Sequence, residues 1–163
     1  MSSDAYEVNE APHDQGPSSS RTPDILHTAV RLLSGREHSQ RELLQKLQQR
    51  GWSEHESLQC LAELVARDLQ SDQRFAASFI RSRVSKAYGP VRIRLELKEK
   101  GVEREVIEWA FREEPVEWLQ VASGWYERRF GLEPIADLKE RAKRQQILLR
   151  RGFTNEMIRE LLN

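Results

Sequence analysis

The sequence predicts an all-α protein: three tandem three-helix repeats of helix-turn-helix-like form, arranged as an elongated curved array behind a disordered N-terminal tail. Three observations carry this expectation. A basic residue, a glycine and a large apolar residue recur together as Arg50-Gly51-Trp52, Lys100-Gly101-Val102 and Arg151-Gly152-Phe153, with the glycines 50 and 51 positions apart. A leucine stands four residues before each glycine (Leu47, Leu97, Leu148), and an apolar residue stands ten after it (Leu61, Phe111, Leu162). Helix start and stop signals are dense from Pro23 onward. A period near 50 marks stacked supersecondary units, each too small to bury its apolar face alone.

Residues 1–22 lack apolar periodicity and are rich in Ser, Pro, Asp and Glu, a composition that cannot offset chain entropy by burial. The first repeat spans 23–70. Thr22-Pro23 suits a helix start, with Ile25, Ala29, Leu32 and Leu33 on one face and Gly35 at the end. Ser39 and Glu42 have capping-box spacing before Leu43, Leu44 and Leu47, and Gly51 offers a left-handed C-cap. Ser53 and Glu56 repeat the box before Leu58, Leu61, Leu64 and Val65.

The second repeat, 71–113, opens at Ser71-Asp72 with Phe75, Ala76, Phe79 and Ile80 on one face, and Gly89-Pro90 breaks that helix. Val91, Ile93, Leu95 and Leu97 then alternate with Arg92, Arg94, Glu96 and Lys98, a strand-like pattern when taken alone. Pro90, Gly101 and the helix-favouring Leu, Glu, Lys and Arg between them oppose a strand. Superposing the repeats also places Ile93 and Leu97 on Leu43 and Leu47, so a helix is expected. The third repeat, 114–163, runs from Pro115 through Trp118, Val121, Ala122, Trp125 and Tyr126. A longer middle helix follows from Pro134 or Ile135 to Arg151, and Thr154 caps a last helix with Met157, Ile158, Leu161 and Leu162 as its face.

Cys60 is the only cysteine, so no internal disulfide is possible. No apolar run approaches the roughly 18 residues needed to cross a bilayer. The acidic N-terminus lacks the apolar core of a secretory signal, and a cytoplasmic protein without membrane contact is expected. Formal net charge is zero, but the charge is segregated. Residues 1–24 carry five acids and one base, 74–101 eight bases and two acids, 102–127 two bases and seven acids, and 128–151 eight bases and three acids. Blocks of alternating sign suit either salt-bridged helix surfaces or patches aimed at a charged partner.

Nothing points to catalysis, and no cofactor is expected. The histidines (His13, His27, His38, His55) do not combine with Cys60 or a carboxylate at metal-ligand spacing. Phosphate-loop glycines and a serine nucleophile elbow are absent, and Glu113-Glu114 reads as a solvated helix end. Trp52, Trp109, Trp118 and Trp125 read as core residues. Interest falls on the cations. Arg74 and Arg81 lie opposite the Phe75/Phe79/Ile80 face, whereas Arg83 falls near the centre of that arc and needs a partner, a snorkelling path or a neighbouring module. Arg92, Arg94, Lys98 and Lys100 surround the middle helix of the second repeat, and Lys139, Arg141, Lys143, Arg144, Arg150 and Arg151 that of the third.

The central stretch Ser71-Asp72-Gln73-Arg74-Phe75-Ala76, then Phe79-Ile80-Arg81-Ser82-Arg83, then Gly89-Pro90-Val91-Arg92-Ile93 with Leu97 and Lys100-Gly101, closely resembles the hallmark region of bacterial RecX regulatory proteins. Ser39 to Leu43 with Lys46-Leu47 and Arg50-Gly51, and Arg151-Gly152-Phe153, agree with it, so the resemblance covers about 25–163. It implies a non-enzymatic modulator of the RecA recombinase, in the setting of homologous recombination, DNA repair and the SOS response. Such a protein lies in the groove of the RecA–DNA filament and inhibits strand exchange, ATP hydrolysis and co-protease activity; some relatives also touch DNA. A monomer is expected. The candidate residues for contact with RecA or DNA are Arg74, Arg81, Arg83, Arg92, Arg94, Lys98, Lys100, Lys139, Lys143 and Arg144, and reversal of Arg92, Arg94 and Lys98 to glutamate is expected to abolish inhibition. The rival reading is a helical protein that binds single-stranded nucleic acid and affects recombination by competing for DNA; a purely structural scaffold is a third.

Overall fold

The computed structural model describes residues 24–163; the tail expected over 1–22 lies outside the described residues. Among these residues there are nine helices and no strand: α1 (Ile25–Gly35), α2 (Gln40–Gln49), α3 (Glu54–Ala66), α4 (Asp72–Ser85), α5 (Pro90–Glu99), α6 (Arg104–Glu113), α7 (Trp118–Phe130), α8 (Leu138–Arg151) and α9 (Asn155–Leu162). Both capping boxes form, with the Ser39 and Ser53 hydroxyls accepting from the Glu42 and Glu56 amides while each glutamate reaches back. Thr154 accepts from the Met157 amide at the start of α9. Gly51, Gly101 and Gly152 all follow a middle helix in the left-handed region, at φ +101°, +79° and +94°.

Three starts differ from expectation, two of them because a carboxylate outcompetes a proline as the helix signal. The Asp24 carboxylate accepts from Leu26 N–H at 3.1 Å, so α1 begins at Ile25. Asp137 likewise accepts from Glu140 N–H at 2.7 Å and starts α8 at Leu138, several residues after Pro134. The third module's first helix begins at Trp118 rather than Pro115. α8 is still longer than its counterparts, 14 residues against 10 in α2 and α5.

The alternating stretch after Pro90 is helical. A 100° turn per residue brings Ile93 and Leu97 onto one face and sends Val91 and Leu95 to the other. Ile93 and Leu97 are fully buried, as are Leu43 and Leu47, whereas Val91 and Leu95 are 54% and 56% exposed. In α3 the buried positions are Ser57, Cys60, Leu61 and Leu64, spaced i, i+3, i+4, i+7. Leu58 and Val65, expected on that face, fall outside this arc and are exposed.

Each module has its own core. Ala29, Leu43, Leu47, Cys60, Leu61 and Leu64 form the first. Phe75, Ala76, Ile80, Ile93, Leu97, Val102, Ile107 and Ala110 form the middle one, against which Val116 and Trp118 also pack. Ala122, Leu148, Phe153, Ile158 and Leu162 form the third. The principal helix pairs all lie within one module. All four tryptophans pack, partly buried, against a core.

The modules are joined by the repeated basic-glycine phrase, which places the end of one middle helix on the start of the preceding one. At the first junction the Ser39 hydroxyl donates to the Lys100 carbonyl at 2.8 Å, and Lys100 Nζ donates to Glu42 Oε1 at 2.5 Å. Arg41 donates to the Glu99 carbonyl at 3.1 Å. At the second, the Gly89 amide donates to the Arg151 carbonyl at 2.8 Å and the Val91 amide to the Gly152 carbonyl at 3.0 Å. Arg151 in turn donates to the carbonyls of Ala87 and Lys86, at 3.0 and 2.6 Å. Helix α5 has no side-chain cap, and the Gly89 and Val91 amides at its start are satisfied by the next module. Backbone approach at this contact leaves no room for side chains: a Cβ on Gly89 would meet the Gly152 carbonyl and lie 2.5 Å from Phe153 N, and one on Gly152 would lie 2.6 Å from Arg92 N.

Candidate partner-binding surface

A surface common to all three modules can only be built from elements that the repeat presents on one side. The middle helices supply it. Their apolar faces point inward through Leu43/Leu47, Ile93/Leu97 and Leu148, and their end-to-end junctions bring the outward faces together. Those faces carry Arg41, Gln45 and Gln48 on α2, then Val91, Leu95 and Lys98 on α5, then Lys139, Lys143 and Gln146 on α8, all exposed.

Two clefts mark the junctions. The first, about 400 Å³, is lined by Arg41, Glu42, Gln45, Arg83, Glu96, Glu99 and Lys100. The second, about 380 Å³, is lined by Val91, Arg92, Leu95, Glu96, Glu99, Leu149, Arg150 and Gly152. Glu96 and Glu99 border both, so α5 forms the ridge between them. The second cleft is the more apolar, through Val91, Leu95 and Leu149.

Seven of the ten cations expected at a partner surface are held in internal ion pairs. Arg74 bridges Glu37 and Asp68 at 3.3 and 2.8 Å, and Arg81 pairs with Glu114. Arg83 and Arg92 share Glu96 at 2.6 and 2.9 Å, which resolves the charge that the apolar arc of α4 left unexplained. Arg83 also lies over the Phe79 ring, 4.7 Å from its centroid. Arg94 grips Glu108 through two nitrogens, at 2.9 and 3.2 Å, and stacks 3.8 Å from the Phe111 centroid. Lys100 takes Glu42, and Arg144 is buried between Glu140 and the Tyr126 hydroxyl at 2.9 and 2.7 Å. Lys143 reaches Glu140 only loosely, at 3.8 Å. Lys98 and Lys139 have no ion-pair partner among the described residues.

These pairings leave their mark on the carboxylates. Burial pushes the Glu96 carboxyl upward, but hydrogen bonds from Arg92 and Arg83 outweigh it and hold the group below the usual carboxylate range. Glu42 behaves alike, with Lys100 and Arg36 overcoming burial. The hydrogen bond from Arg94 is the main influence lowering Glu108. Beside Glu42, His38 is almost completely buried; burial first, then the nearby Arg36 charge, keeps its imidazole below the ordinary value.

Sequence reasoning passed over Val91 and Leu95 as part of this surface, and named Arg150 in the basic cluster of the third repeat without placing it among the contact residues. One signal was available. The positions equivalent to Val91 and Leu95 carry Arg41 and Gln45 in the first module and Ala142 and Gln146 in the third. An apolar pair present in one copy of a repeat, where another copy carries only polar side chains, is not core.

The chain matches a known family in three successive stretches between residues 26 and 162. RecX three-helix domains match in order: the first over residues 26–64, the second over 71–110 and the third over 116–162. The chain belongs to the RecX family. Regulatory protein RecX of Halorhodospira halophila (strain DSM 244 / SL1) is 45% identical over 138 residues, covering 83% of this chain and 84% of that protein. Regulatory protein RecX of Legionella pneumophila (strain Corby) is 37% identical over 131 residues, covering 80% and 87%. Among solved structures, the crystal structure of RecX from Lactobacillus salivarius has the same fold, with a TM-score of 0.69 at 22% identity over 85% of this chain and 92% of that one. Membership agrees with a regulatory, recombination-linked role. Among the described residues no group of three or more His, Cys, Asp or Glu could hold a metal ion, and no helix is long and apolar enough to cross a membrane.

Proposed function

We propose that this RecX-family chain regulates the RecA recombinase in the cytoplasm by binding the RecA–DNA filament through the outward faces of α2, α5 and α8. The observation that carries this reading is the connected surface across three modules, with an apolar cleft at Val91, Leu95 and Leu149 and the exposed Lys98 and Lys139 on the outward faces of α5 and α8. A filament offers a repeating groove, and a three-module array offers a matching succession of sites. A chain bridging successive protomers hinders the movement that accompanies ATP hydrolysis, and so suppresses hydrolysis, strand exchange and co-protease activity together.

Competition for single strands is the weaker reading. Tight binding to nucleic acid rests on neutralising phosphates, and most of the candidate cations already have carboxylate partners. The same pairings change the choice of test. Reversing Arg92 and Arg94 strips Glu96 and Glu108 of their partners, so the triple variant with Lys98 perturbs structure as well as surface. Lys98→Glu combined with Lys139→Glu is the cleaner probe. Inhibition of RecA's DNA-dependent ATPase by this double variant is expected to fall about tenfold or more, with far-UV circular dichroism unchanged; full inhibition would overturn the assignment of the surface.

A further inference from the structure

The chain contains two related junctions and, at its two ends, one further basic-glycine phrase and one further middle-helix start that take no part in either. At each internal junction, the carbonyl of the basic residue before a repeat glycine accepts from the N-cap residue of the preceding middle helix. Lys100 O takes the Ser39 hydroxyl, and Arg151 O takes the Gly89 amide. The third basic residue, Arg50, stands at the free face of the first module. Its carbonyl accepts no hydrogen bond among the described residues, and a Cβ on Gly51 would meet nothing within 4 Å. The third N-cap, Asp137, stands at the free face of the last module, and its amide donates to nothing among the described residues.

Charge and apolar surface match as well. At the first junction Lys100 reaches Glu42, the third residue of α2. Counted from the helix start, the third residue of α8 is Glu140, which pairs with Arg144 at 2.9 Å within its own helix and would also face Arg50 beside Asp137. At the second junction this position is Arg92, so the carboxylate contact is patterned on the first junction alone. The last module's face also exposes Leu132 and Leu138, which at 86% and 84% are the most exposed large apolar side chains among the described residues. At the internal junction the equivalent loop is covered: Arg151 spans it, and Ala87 is buried.

We propose that a second copy of this chain is the occupant of each free face, so that molecules join head to tail, Arg50-Gly51 of one against Asp137 and Glu140 of the next. This contact is heterologous and open-ended. Each internal junction is helped by a short covalent link, which is worth an effective concentration on the order of millimolar. The same contact between separate molecules therefore leaves a dilute chain monomeric and forms where copies are held close together.

Sedimentation velocity of the full chain in low salt, up to about 1 mM, tests this. The average mass is expected to rise with concentration past that of a dimer, the single chain being 19.1 kDa. Arg50→Glu alone and Glu140→Lys alone are each expected to stay monomeric, because each sets like charges face to face; Glu140→Lys also strips buried Arg144 of its carboxylate, so its fold is checked by circular dichroism alongside. An equimolar mixture of the two is expected to associate again, since every contact is then complementary. Leu132→Ser with Leu138→Ser leaves both charges in place and is expected to weaken association about tenfold. A mass fixed at one chain across the range overturns the proposal. So do single charge variants that associate as the parent does, or a mixture that fails to recover while circular dichroism shows both folded.

Discussion

Gly89→Ala separates what holds a module together from what holds the modules to each other. Gly89 has φ −84°, which alanine adopts freely, so backbone strain contributes nothing. Its Cβ would press against the Gly152 carbonyl and lie 2.5 Å from Phe153 N, all backbone atoms that cannot rotate aside. The third module must withdraw. With it go the Gly89–Arg151 and Val91–Gly152 backbone bonds and the two carbonyl contacts of the Arg151 guanidinium. At about 1 kcal/mol for each backbone bond, and about half the usual share for a partly exposed guanidinium, the junction loses about 2–4 kcal/mol. Native-state hydrogen exchange reads this at one amide. Val91 N–H is expected to exchange about 30- to 1,000-fold faster, while Leu97, whose side chain lies in the middle core, keeps its protection. Unchanged exchange at Val91, or equal loss at Leu97, would refute the separation of junction from core.

Two further outcomes follow from local chemistry. Gly124 lies inside α7 with only the flexible tip of Arg128 near its missing Cβ, at 3.4 Å. Gly124→Ala is therefore expected to stabilise the protein by about 0.5–1 kcal/mol, read as a higher Tm; a fall in Tm would show that α7 needs the close approach. Acid is expected to weaken the first two modules and the junction between them. Burial and Arg36 depress His38, so the unfolded chain takes up a proton near pH 6.5 that the folded chain refuses. Glu42 and Glu96 are also depressed and lose their contribution at lower pH, as they protonate. All three signs agree. Stability is full above about pH 7 and falls on acidification, measured as the urea midpoint; His38→Gln is expected to flatten the upper part of that fall, and greater stability at about pH 5 than at pH 7.5 would contradict it.

Most of the fold was legible because the repeat turns weak local signals into a shared one. The alternation from Val91 to Leu97 reads as a strand in isolation, and only its alignment with Leu43 and Leu47 settles it as a helix. Helix starts were less legible: Pro23, Pro115 and Pro134 mark permissible positions, whereas Asp24 and Asp137 supply the hydrogen bonds that fix two of the actual ones. The surface was legible as a location but not as chemistry. A cation's availability depends on carboxylates distant in sequence, such as Glu108 for Arg94 and Glu42 for Lys100, 14 and 58 residues away. Periodicity of a single helix carries no trace of those partners. Nor does it show that Gly89, Gly101 and Gly152 are constrained by another module.

The proposed target is the RecA filament itself. RecA's single-strand-dependent ATP hydrolysis, measured with this chain well below the RecA concentration and with strands in excess, tests that most directly. Inhibition is expected under these conditions, since so little protein cannot mask the DNA. Hydrolysis that stays unaffected until the chain saturates the strands would contradict it and leave competition for DNA as the mechanism.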